Sequence, residues 1–280
     1  MLSSGLTITT DSLVQGVHWD DRLAPYDVGW KSVCVSVSDL AAMGVQPQWL
    51  TCSISLPTAP NLHWTKEFAR GLHDAAQTYF VELIGGDTTK SPGPIFINIT
   101  MGGTTDGPVV TRVGAKALDD LWVTGVPGLA AAGYHLDAPF PEALQALRHP
   151  TPPLQFAQTL ASKSLVTAMM DLSDGLASDL PKLCHASGVG AMVECARLPQ
   201  HPELTALDTT FALRLAGGDD FQLLFTAPQN RNRAILDAAE SLKTQVTQIG
   251  TITALQKVSV DRGHWPASPW SHFQNKGVSQ

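Results

Sequence analysis

Alternating apolar and polar residues predict several β-strands in this chain. Leu6 and Ile8 alternate with threonines, which predicts a strand that ends where Asp11 follows. Residues 32–38 place valine at every second position between serine and cysteine residues, a pattern typical of a half-buried strand. The same period predicts further strands at residues 51–56, 80–84, 95–101, 121–124 and 221–226, and an edge strand at residues 246–252.

Apolar residues at helical spacing predict the helices. A short helix opens at Leu40 and is stopped by Gly44, and longer helices are predicted at residues 64–79, 129–136, 155–165, 176–187 and 231–242. Strands and helices mix without strict alternation, which predicts an α/β (α+β) fold of two domains with mixed sheets. A polar stretch with glycine and proline at residues 104–108 separates the predicted domains, residues 1–108 and 109–280.

Composition narrows the possible partners and the compartment. The formal net charge is −7 and no block of lysine and arginine occurs, which argues against nucleic acid and membrane as partners. The most apolar tract, residues 121–136, is interrupted by glycine and proline and is too short to cross a bilayer. The four cysteines are far apart, and no basic segment precedes an apolar one at the N-terminus. We therefore predict a cytoplasmic protein with free thiols.

Aspartate follows a run of apolar and then small residues at five places in the chain. Any single aspartate of this kind can be a turn residue or a helix N-cap. If the five places converge, two carboxylates 4 Å apart repel by ~4 kcal/mol at an effective dielectric constant of 20, so cations must join them. Oxygen ligands without histidine or cysteine suit Mg²⁺, which often shares its coordination with phosphates. Capping and binding of a magnesium nucleotide both remain open for Asp11, Asp39, Asp87, Asp171/Asp174 and Asp219/Asp220.

Other residues offer contacts to a phosphate or to a second ligand. Backbone amides near the two Gly-Gly pairs, 85–86 and 217–218, can bind phosphate without charge. Arg112 stands between small residues and is either a phosphate clamp or an exposed arginine. His18 is either a structural histidine or a donor to substrate, and Trp270 either stacks on a flat ring or anchors the C-terminal segment. A P-loop motif and the catalytic loop of protein kinases are both absent from the sequence.

Six motifs in order resemble the thiamine-monophosphate kinase family. They are Thr9-Thr10-Asp11 with Gly16-Val17-His18-Trp19, Ser38-Asp39-Leu40-Ala41-Ala42-Met43-Gly44, Gly85-Gly86-Asp87-Thr88-Thr89, Arg112-Val113-Gly114-Ala115, Asp171-Leu172-Ser173-Asp174-Gly175, and Gly217-Gly218-Asp219-Asp220-Phe221. The resemblance implies a fold similar to aminoimidazole ribonucleotide synthetase, with an N-terminal domain that binds ATP and Mg²⁺ and forms a homodimer. It also implies direct, in-line transfer of the γ-phosphoryl group of ATP to thiamine monophosphate, without a covalent intermediate.

The resemblance also implies a role for each matched residue. Asp11, Asp87 and Arg112 would position charge during transfer. Gly86, Asp87, Arg112 and Ser173 would contact ATP, and His18, Asp219 and Trp270 would contact thiamine monophosphate. The implied ligands of several Mg²⁺ ions are Thr9, Thr10, Asp11, Asp39, Asp87, Asp171 and Asp174.

The chain departs from the family pattern at four places. The family opens with a Gly-Asp-Asp segment whose aspartate is a further metal ligand, whereas this chain starts at Met1-Leu2-Ser3-Ser4, and we expect a shortened N-terminus. Phe221-Gln222 replaces Tyr-Glu, residues 149–153 lack the two arginines of Arg-Pro-x-Pro-Arg, and Leu118 replaces a glycine. Three alternatives stay open: a related ATP-dependent synthetase, a truncated binding or dimerising remnant, and a protein whose aspartates only cap helices.

Overall fold

The N-terminal half is built on a four-stranded sheet. The computed structural model describes residues 5–57, 61–134, 140–208 and 210–266, so Trp270 lies outside the described residues. Strands β1 (Thr7–Val14), β2 (Gln46–Leu56), β3 (Glu82–Lys90) and β4 (Phe96–Thr104) pair in the order β1-β4-β2-β3. Only β2 and β3 are parallel, and β3 forms one edge.

Two helices accompany this sheet, and the first one corrects a prediction. Helix α1 (Pro25–Ala42) contains residues 32–38, which the alternating valines wrongly predict as a strand. Pro25 stands at the first helical position, and the Ala24 amide donates a 3.0 Å hydrogen bond to Asp27 Oδ2, so the helix starts well before Leu40. It ends before Gly44, whose φ of +70° suits glycine. Helix α2 (Leu62–Thr78) packs against α1 and agrees with the prediction for residues 64–79.

The C-terminal half contains a six-stranded sheet. Its strands are β5 (Asp120–Thr124), β6 (Ala168–Leu172), β7 (Gly190–Val193), β8 (Gln222–Ala227), β9 (Val246–Thr253) and β10 (Val258–Val260). They pair in the order β10-β7-β9-β5-β8-β6, with only β10 and β7 parallel. Strand β9 lies between β7 and β5, so the prediction of an edge strand there is wrong.

Within the described residues, seven α-helices accompany the second sheet. They are α3 (Leu129–Ala132), α4 (Pro141–Arg148), α5 (Leu154–Ser162), α6 (Leu176–Ser187), α7 (Pro202–Leu207), α8 (Ala212–Ala216) and α9 (Asn232–Leu242). Helix α6 has the predicted bounds and ends at Gly188 in the left-handed conformation. No helix among the described residues is both long and apolar enough to cross a membrane.

Helix α1 joins the two halves. It contacts β1 and β4 on one side and β6 and α5 on the other. One cluster of buried apolar side chains runs through the contact, from Val33 and Ile99 to Phe156 and Phe225. The predicted fold of two α/β domains with mixed sheets is confirmed. Since α1 is covered on several sides, its polar residues must find partners inside the molecule.

The acidic residues occupy positions different from the predicted ones. Asp11, Asp87 and Asp171 lie within β1, β3 and β6 and do not follow a strand end. Asp39 lies in the last turn of α1 and does not begin a helix. The interpretation of Asp39 as an N-cap is therefore wrong.

Candidate active site

Two carboxylates meet where β1 packs on α1. Thr9 and Asp11 share the face of β1 that is turned toward the helix, because alternate residues of a strand share a face. Thr9 Oγ1 donates a hydrogen bond to Asp39 Oδ2, and Ser36 Oγ donates one of 2.7 Å to Asp11 Oδ2. Strand and helix thus hold Asp11 and Asp39 side by side, each with one hydroxyl donor.

A third carboxylate reaches this place from the C-terminal half. Asp171 on β6 is only 5% exposed, and its Oδ2 accepts a 3.3 Å hydrogen bond from Ser38 Oγ on α1. We call Asp11, Asp39 and Asp171 the carboxylate cluster. Its members come from β1, α1 and β6, so both halves of the chain are needed to build it.

All three carboxyl groups of the carboxylate cluster have raised pKa values. Burial raises the pKa of Asp171 to about 8, and the charges of Asp39 and Asp179 add to this effect. Burial and the charge of Asp39 raise the pKa of Asp11 to about 6, against the hydrogen bond from Ser36. Burial also raises the pKa of Asp39, and the Thr9 hydroxyl and Arg112 oppose the rise. A cation at the cluster would remove repulsion that now favours protonation.

The donor set fits Mg²⁺ in its chemistry. All three members are carboxylates next to hydroxyl groups, the hard oxygen ligands that Mg²⁺ prefers. Among the described residues, however, no three histidine, cysteine, aspartate or glutamate side chains are arranged so that they could hold a metal ion. The carboxylates are instead occupied by hydroxyl donors.

The loop after β6 is fixed by a carboxylate that the sequence argument missed. Asp179 in the first turn of α6 is fully buried, and its Oδ2 accepts hydrogen bonds from the amides of Ser173 and Asp174, at 3.1 and 2.9 Å. Lys182 Nζ lies 2.6 Å from Asp174 Oδ2 and 2.9 Å from Asp179 Oδ1. Asp174 is therefore paired with a lysine at the edge of the site. An acidic residue one turn into α6 was the available sequence signal.

The Asp219–Asp220 segment packs against this loop. The amide of Asp219 donates to the Ser173 carbonyl and that of Phe221 to the Leu172 carbonyl, both at 2.8 Å. Asp219 Oδ2 accepts hydrogen bonds from Lys31 Nζ at 2.8 Å and from the Tyr134 hydroxyl at 3.0 Å. Lys31 is a second residue that the sequence argument missed, because its partner is 188 residues away.

Thr10 and His18, two of the predicted site residues, make other contacts than Thr9 and Asp11 do. The side chain of Thr10 lies on the face away from α1, where its hydroxyl is 3.0 Å from that of Thr100. His18 Nδ1 accepts a 3.0 Å hydrogen bond from the Val14 amide. A neutral imidazole that accepts at Nδ1 carries its proton on Nε2, which makes Nε2 a donor.

Asp87 lies apart from the carboxylate cluster within this chain. Asp11, Ile99, Cys52 and Gly86 form one row across the sheet, so Gly86 shares the face of Asp11. Asp87 is one residue further along an exposed edge strand and lies on the opposite face. Three strand spacings separate Asp11 from β3, or about 14 Å.

Arg112 lies in the exposed connection between β4 and β5. Its carbonyl accepts a 2.8 Å hydrogen bond from Ser187 Oγ, which fixes the backbone at this point. The guanidinium charge opposes the raised pKa values of both Asp39 and Asp171. Its charge therefore acts on the cluster members of both α1 and β6.

Comparisons with known proteins identify the family. Residues 2–105 match the AIR synthase related protein N-terminal domain, and residues 119–263 match its C-terminal domain. Thiamine-monophosphate kinase of Escherichia coli K12 is 40% identical over 261 residues, which cover 89% of this chain and 79% of the relative. The enzyme of Aquifex aeolicus is 33% identical, with coverage of 97% and 89%. The chain belongs to the thiamine-monophosphate kinase family.

Solved structures agree with this assignment. Thiamine-monophosphate kinase from Stenotrophomonas maltophilia K279a has a TM-score of 0.86 at 35% identity, covering 93% of this chain and 86% of that one. AaThiL complexed with AMPPCP and TMP has a TM-score of 0.86 at 31% identity, with coverage of 96% and 87%. Escherichia coli HypE, at 20% identity and a TM-score of 0.78, shares the fold alone. The resemblance drawn from the six motifs is confirmed, and the chain is an enzyme of this kinase family.

Proposed function

We propose that this chain transfers the γ-phosphoryl group of ATP to thiamine monophosphate and so forms thiamine diphosphate. The observation that carries the proposal is the carboxylate cluster, which joins both halves of the chain. In it, burial and then the charges of Asp39 and Asp179 raise the pKa of Asp171 to about 8. Such a cluster requires cations, and a magnesium nucleotide brings them. The kinase name of relatives up to 40% identical and the AMPPCP and TMP bound to AaThiL support the two substrates.

The contacts of Asp11, Asp39 and Asp171 support them as ligands of Mg²⁺ at the carboxylate cluster. The family resemblance adds Thr9, Thr10, Asp87 and Asp174 to the proposed ligand set, although Thr10 and Asp87 lie on the opposite face of the sheet from Asp11 and Asp174 is paired with Lys182. Bound Mg²⁺ would neutralise charge that develops on the phosphate oxygens. Arg112 would bind ATP phosphates beside the cluster, together with Gly86 and Ser173. His18, Asp219 and Trp270 would contact thiamine monophosphate, as the family resemblance implies.

The transfer is proposed to be direct and in line. An oxygen of the acceptor phosphate forms the new bond to the γ-phosphorus, and the bond from that phosphorus to the β,γ-bridging oxygen breaks to release ADP. The acceptor is already an anion, so no side chain has to remove its proton. The protein therefore acts through positioning and through the charges of Arg112 and the bound ions.

A homodimer and a cytoplasmic location complete the proposal. Every residue of the edge strand β3 is exposed, including Leu83 at 51% and Ile84 at 57%. Open strand edges with apolar side chains are places where a second chain can pair. Analytical ultracentrifugation of the chain and of an Ile84→Lys variant tests this part, and a wild-type monomer would contradict it.

The activity is tested by direct product analysis. The protein is incubated with ATP, Mg²⁺ and thiamine monophosphate, and thiamine diphosphate and ADP are quantified. We expect equimolar products. Absence of product at saturating Mg²⁺ contradicts the proposal. Binding of Mg–ATP without turnover would instead favour a protein that only binds the nucleotide, a second candidate that the separation of Asp87 from Asp11 supports.

A further inference from the structure

Lys31 is a buried lysine between the two halves of the molecule. It lies on α1, its side chain is 1% exposed, and its ammonium group donates to Asp219 Oδ2 at 2.8 Å. Lysine is almost never fully buried without a partner, because removal of the ammonium group from water costs several kcal/mol, on the order of the stability of a domain. Replacement of a whole buried ion pair by apolar residues of similar volume is often neutral or even stabilising. A lysine here therefore calls for an explanation beyond packing.

The two carboxylate oxygens of Asp219 differ in their hydrogen bonds. Lys31 and the Tyr134 hydroxyl both donate to Oδ2, at 2.8 and 3.0 Å. Among the described residues no donor bonds Oδ1, and the Asp219 side chain keeps 27% of its surface exposed. One oxygen is thus held by the protein, and the other remains available to a ligand.

The backbone around Asp219 is held in an unfavourable conformation. Asp219 has a φ of +71° and Phe221 a φ of +49°, both in the left-handed region that favours glycine. Between them, Asp220 accepts hydrogen bonds from the Gly128 and Ala130 amides at 2.6 and 3.1 Å. Such strain persists only where the surroundings fix it, and it is concentrated at functional sites.

We propose that Lys31 is a positioning residue for thiamine monophosphate: together with Tyr134 it fixes Asp219 so that Oδ1 faces the thiazolium ring or the exocyclic amine of the substrate. The inference rests on the proposed function. The substrate offers a positively charged thiazolium ring and an exocyclic amine, and a carboxylate oxygen suits both. Lys31 neutralises the other oxygen and prevents rotation of the carboxylate. A purely structural Lys31 would only hold α1 against the second half.

A double-mutant cycle separates these two roles. Steady-state kinetics and urea unfolding are measured for Lys31→Met, Asp219→Asn and the double variant. Arg214→Met is the matched control, because Arg214 is a buried cation paired with Asp208 at 3.1 Å outside the proposed site. We expect Lys31→Met to raise KM for thiamine monophosphate about tenfold, or ~1.4 kcal/mol, with KM for ATP unchanged. Arg214→Met should lower stability and leave both KM values unchanged.

The double variant gives the decisive comparison. If Lys31 acts through Asp219, its replacement adds no further increase of KM once Asp219 is asparagine. Tyr134→Phe removes the second donor to the same oxygen and should raise KM for thiamine monophosphate by about threefold, so it serves if Lys31→Met fails to fold. Wild-type KM values in Lys31→Met and Tyr134→Phe, or additive effects in the double variant, overturn the inference. A wild-type chain without activity overturns the proposed function and, with it, this role.

Discussion

Ser36 on α1 donates a 2.7 Å hydrogen bond to Asp11 on β1. Burial and the Asp39 charge raise the pKa of Asp11, the Ser36 bond opposes them, and the resulting pKa is about 6. One turn later on the same face of the helix, Asp39 accepts a hydrogen bond from the hydroxyl group of Thr9. The two bonds join strand and helix at the point where the proposed cations bind. Ser36 thus favours the ionised form of Asp11 and fixes its orientation.

Replacement of Ser36 by alanine should weaken metal binding. Asp11 would lose the donor that orients it and stabilises its charge, and partners of this kind typically contribute about tenfold or more to metal affinity. We expect the Mg²⁺ concentration for half-maximal activity to rise by about that factor. Ser32→Ala is the matched control, since Ser32 is equally buried on α1 but bonds the Val28 carbonyl of its own helix at 2.7 Å. Equal Mg²⁺ dependence of the two variants would contradict the role of Ser36.

Helix α1 shows why part of the fold could not be predicted from the sequence. Valines at 33, 35 and 37 have the period of a strand, yet they belong to a helix that is buried on several sides. A helix covered all round has no polar face, so the period of 3.6 residues disappears from its sequence. The signals that remained were at its start, in Pro25 and Asp27. Helix α6 has solvent on one side, and its bounds agree with the prediction.

The candidate site was predictable only in its local motifs. Convergence was only a condition in the sequence analysis, and it covered five places. The folded chain brings Asp11, Asp39 and Asp171 near one another, and none of the three follows a strand end. Asp87 does not join them. Successive side chains of a strand point to opposite faces of the sheet, and the register puts Asp87 in the row of Ser53 and Asn98, next to the row of Asp11. Lys31 bonds a partner 188 residues away, and no local pattern marks such a pair. Asp179 bonds amides only five and six residues before it, and its place in the first turn of α6 was a local signal.

Replacement of Arg112 by glutamine should impair the use of ATP. The Arg112 charge lowers the pKa values of Asp39 and Asp171, and its loss removes the proposed clamp on the phosphates as well. Removal of a single donor of this kind costs about 100-fold or more in rate. We expect kcat/KM for ATP to fall by that factor. Arg233→Gln is the control, because the Arg233 side chain is 85% exposed and pairs only with Asp237, and comparable losses in both variants would refute the assignment.

Gly175 connects the two loops of the site, and its replacement by alanine should disturb both. Gly175 has φ +86° and ψ +160°, a conformation almost restricted to glycine, and an added Cβ would lie 2.5 Å from the Gly217 carbonyl oxygen. We expect Gly175→Ala to lower the free energy of unfolding by about 3 kcal/mol or more, and kcat to fall because Ser173 and Asp219 move together.

Gly188→Ala provides the comparison for Gly175→Ala. Gly188 also has a positive φ, +68°, but nothing lies within 4 Å of an added Cβ. This variant should lose only the backbone cost of about 1–2 kcal/mol and keep the wild-type kcat. Urea unfolding and steady-state rates measure both effects. Equal losses of stability in the two variants, or a wild-type kcat in Gly175→Ala, would show that the contact with Gly217 is unimportant.

Asp220 should make the stability of the protein depend on pH. Its carboxyl group is 7% exposed, and burial raises its pKa from the ordinary 3.8 to about 7. The Gly128 and Ala130 amides oppose this rise, while the charges of Asp219 and Asp179 add to it. Between about pH 4 and pH 7 the folded state therefore holds a proton that the unfolded state has released. The contribution of Asp220 to stability is greatest at low pH and falls as the pH rises through this window.

Asp220→Asn isolates this contribution, because asparagine is neutral at every pH. The free energy of unfolding of the wild type minus that of the variant should decrease from pH 4 to pH 8, by at most about 4 kcal/mol for a shift of three pH units. The other buried carboxyl groups titrate in both proteins, so their effects cancel in the difference. Urea unfolding at intervals of half a pH unit measures the slope. A difference that stays constant with pH, or increases, would mean that Asp220 is ionised in the folded protein throughout this range and that its two amide donors outweigh its burial.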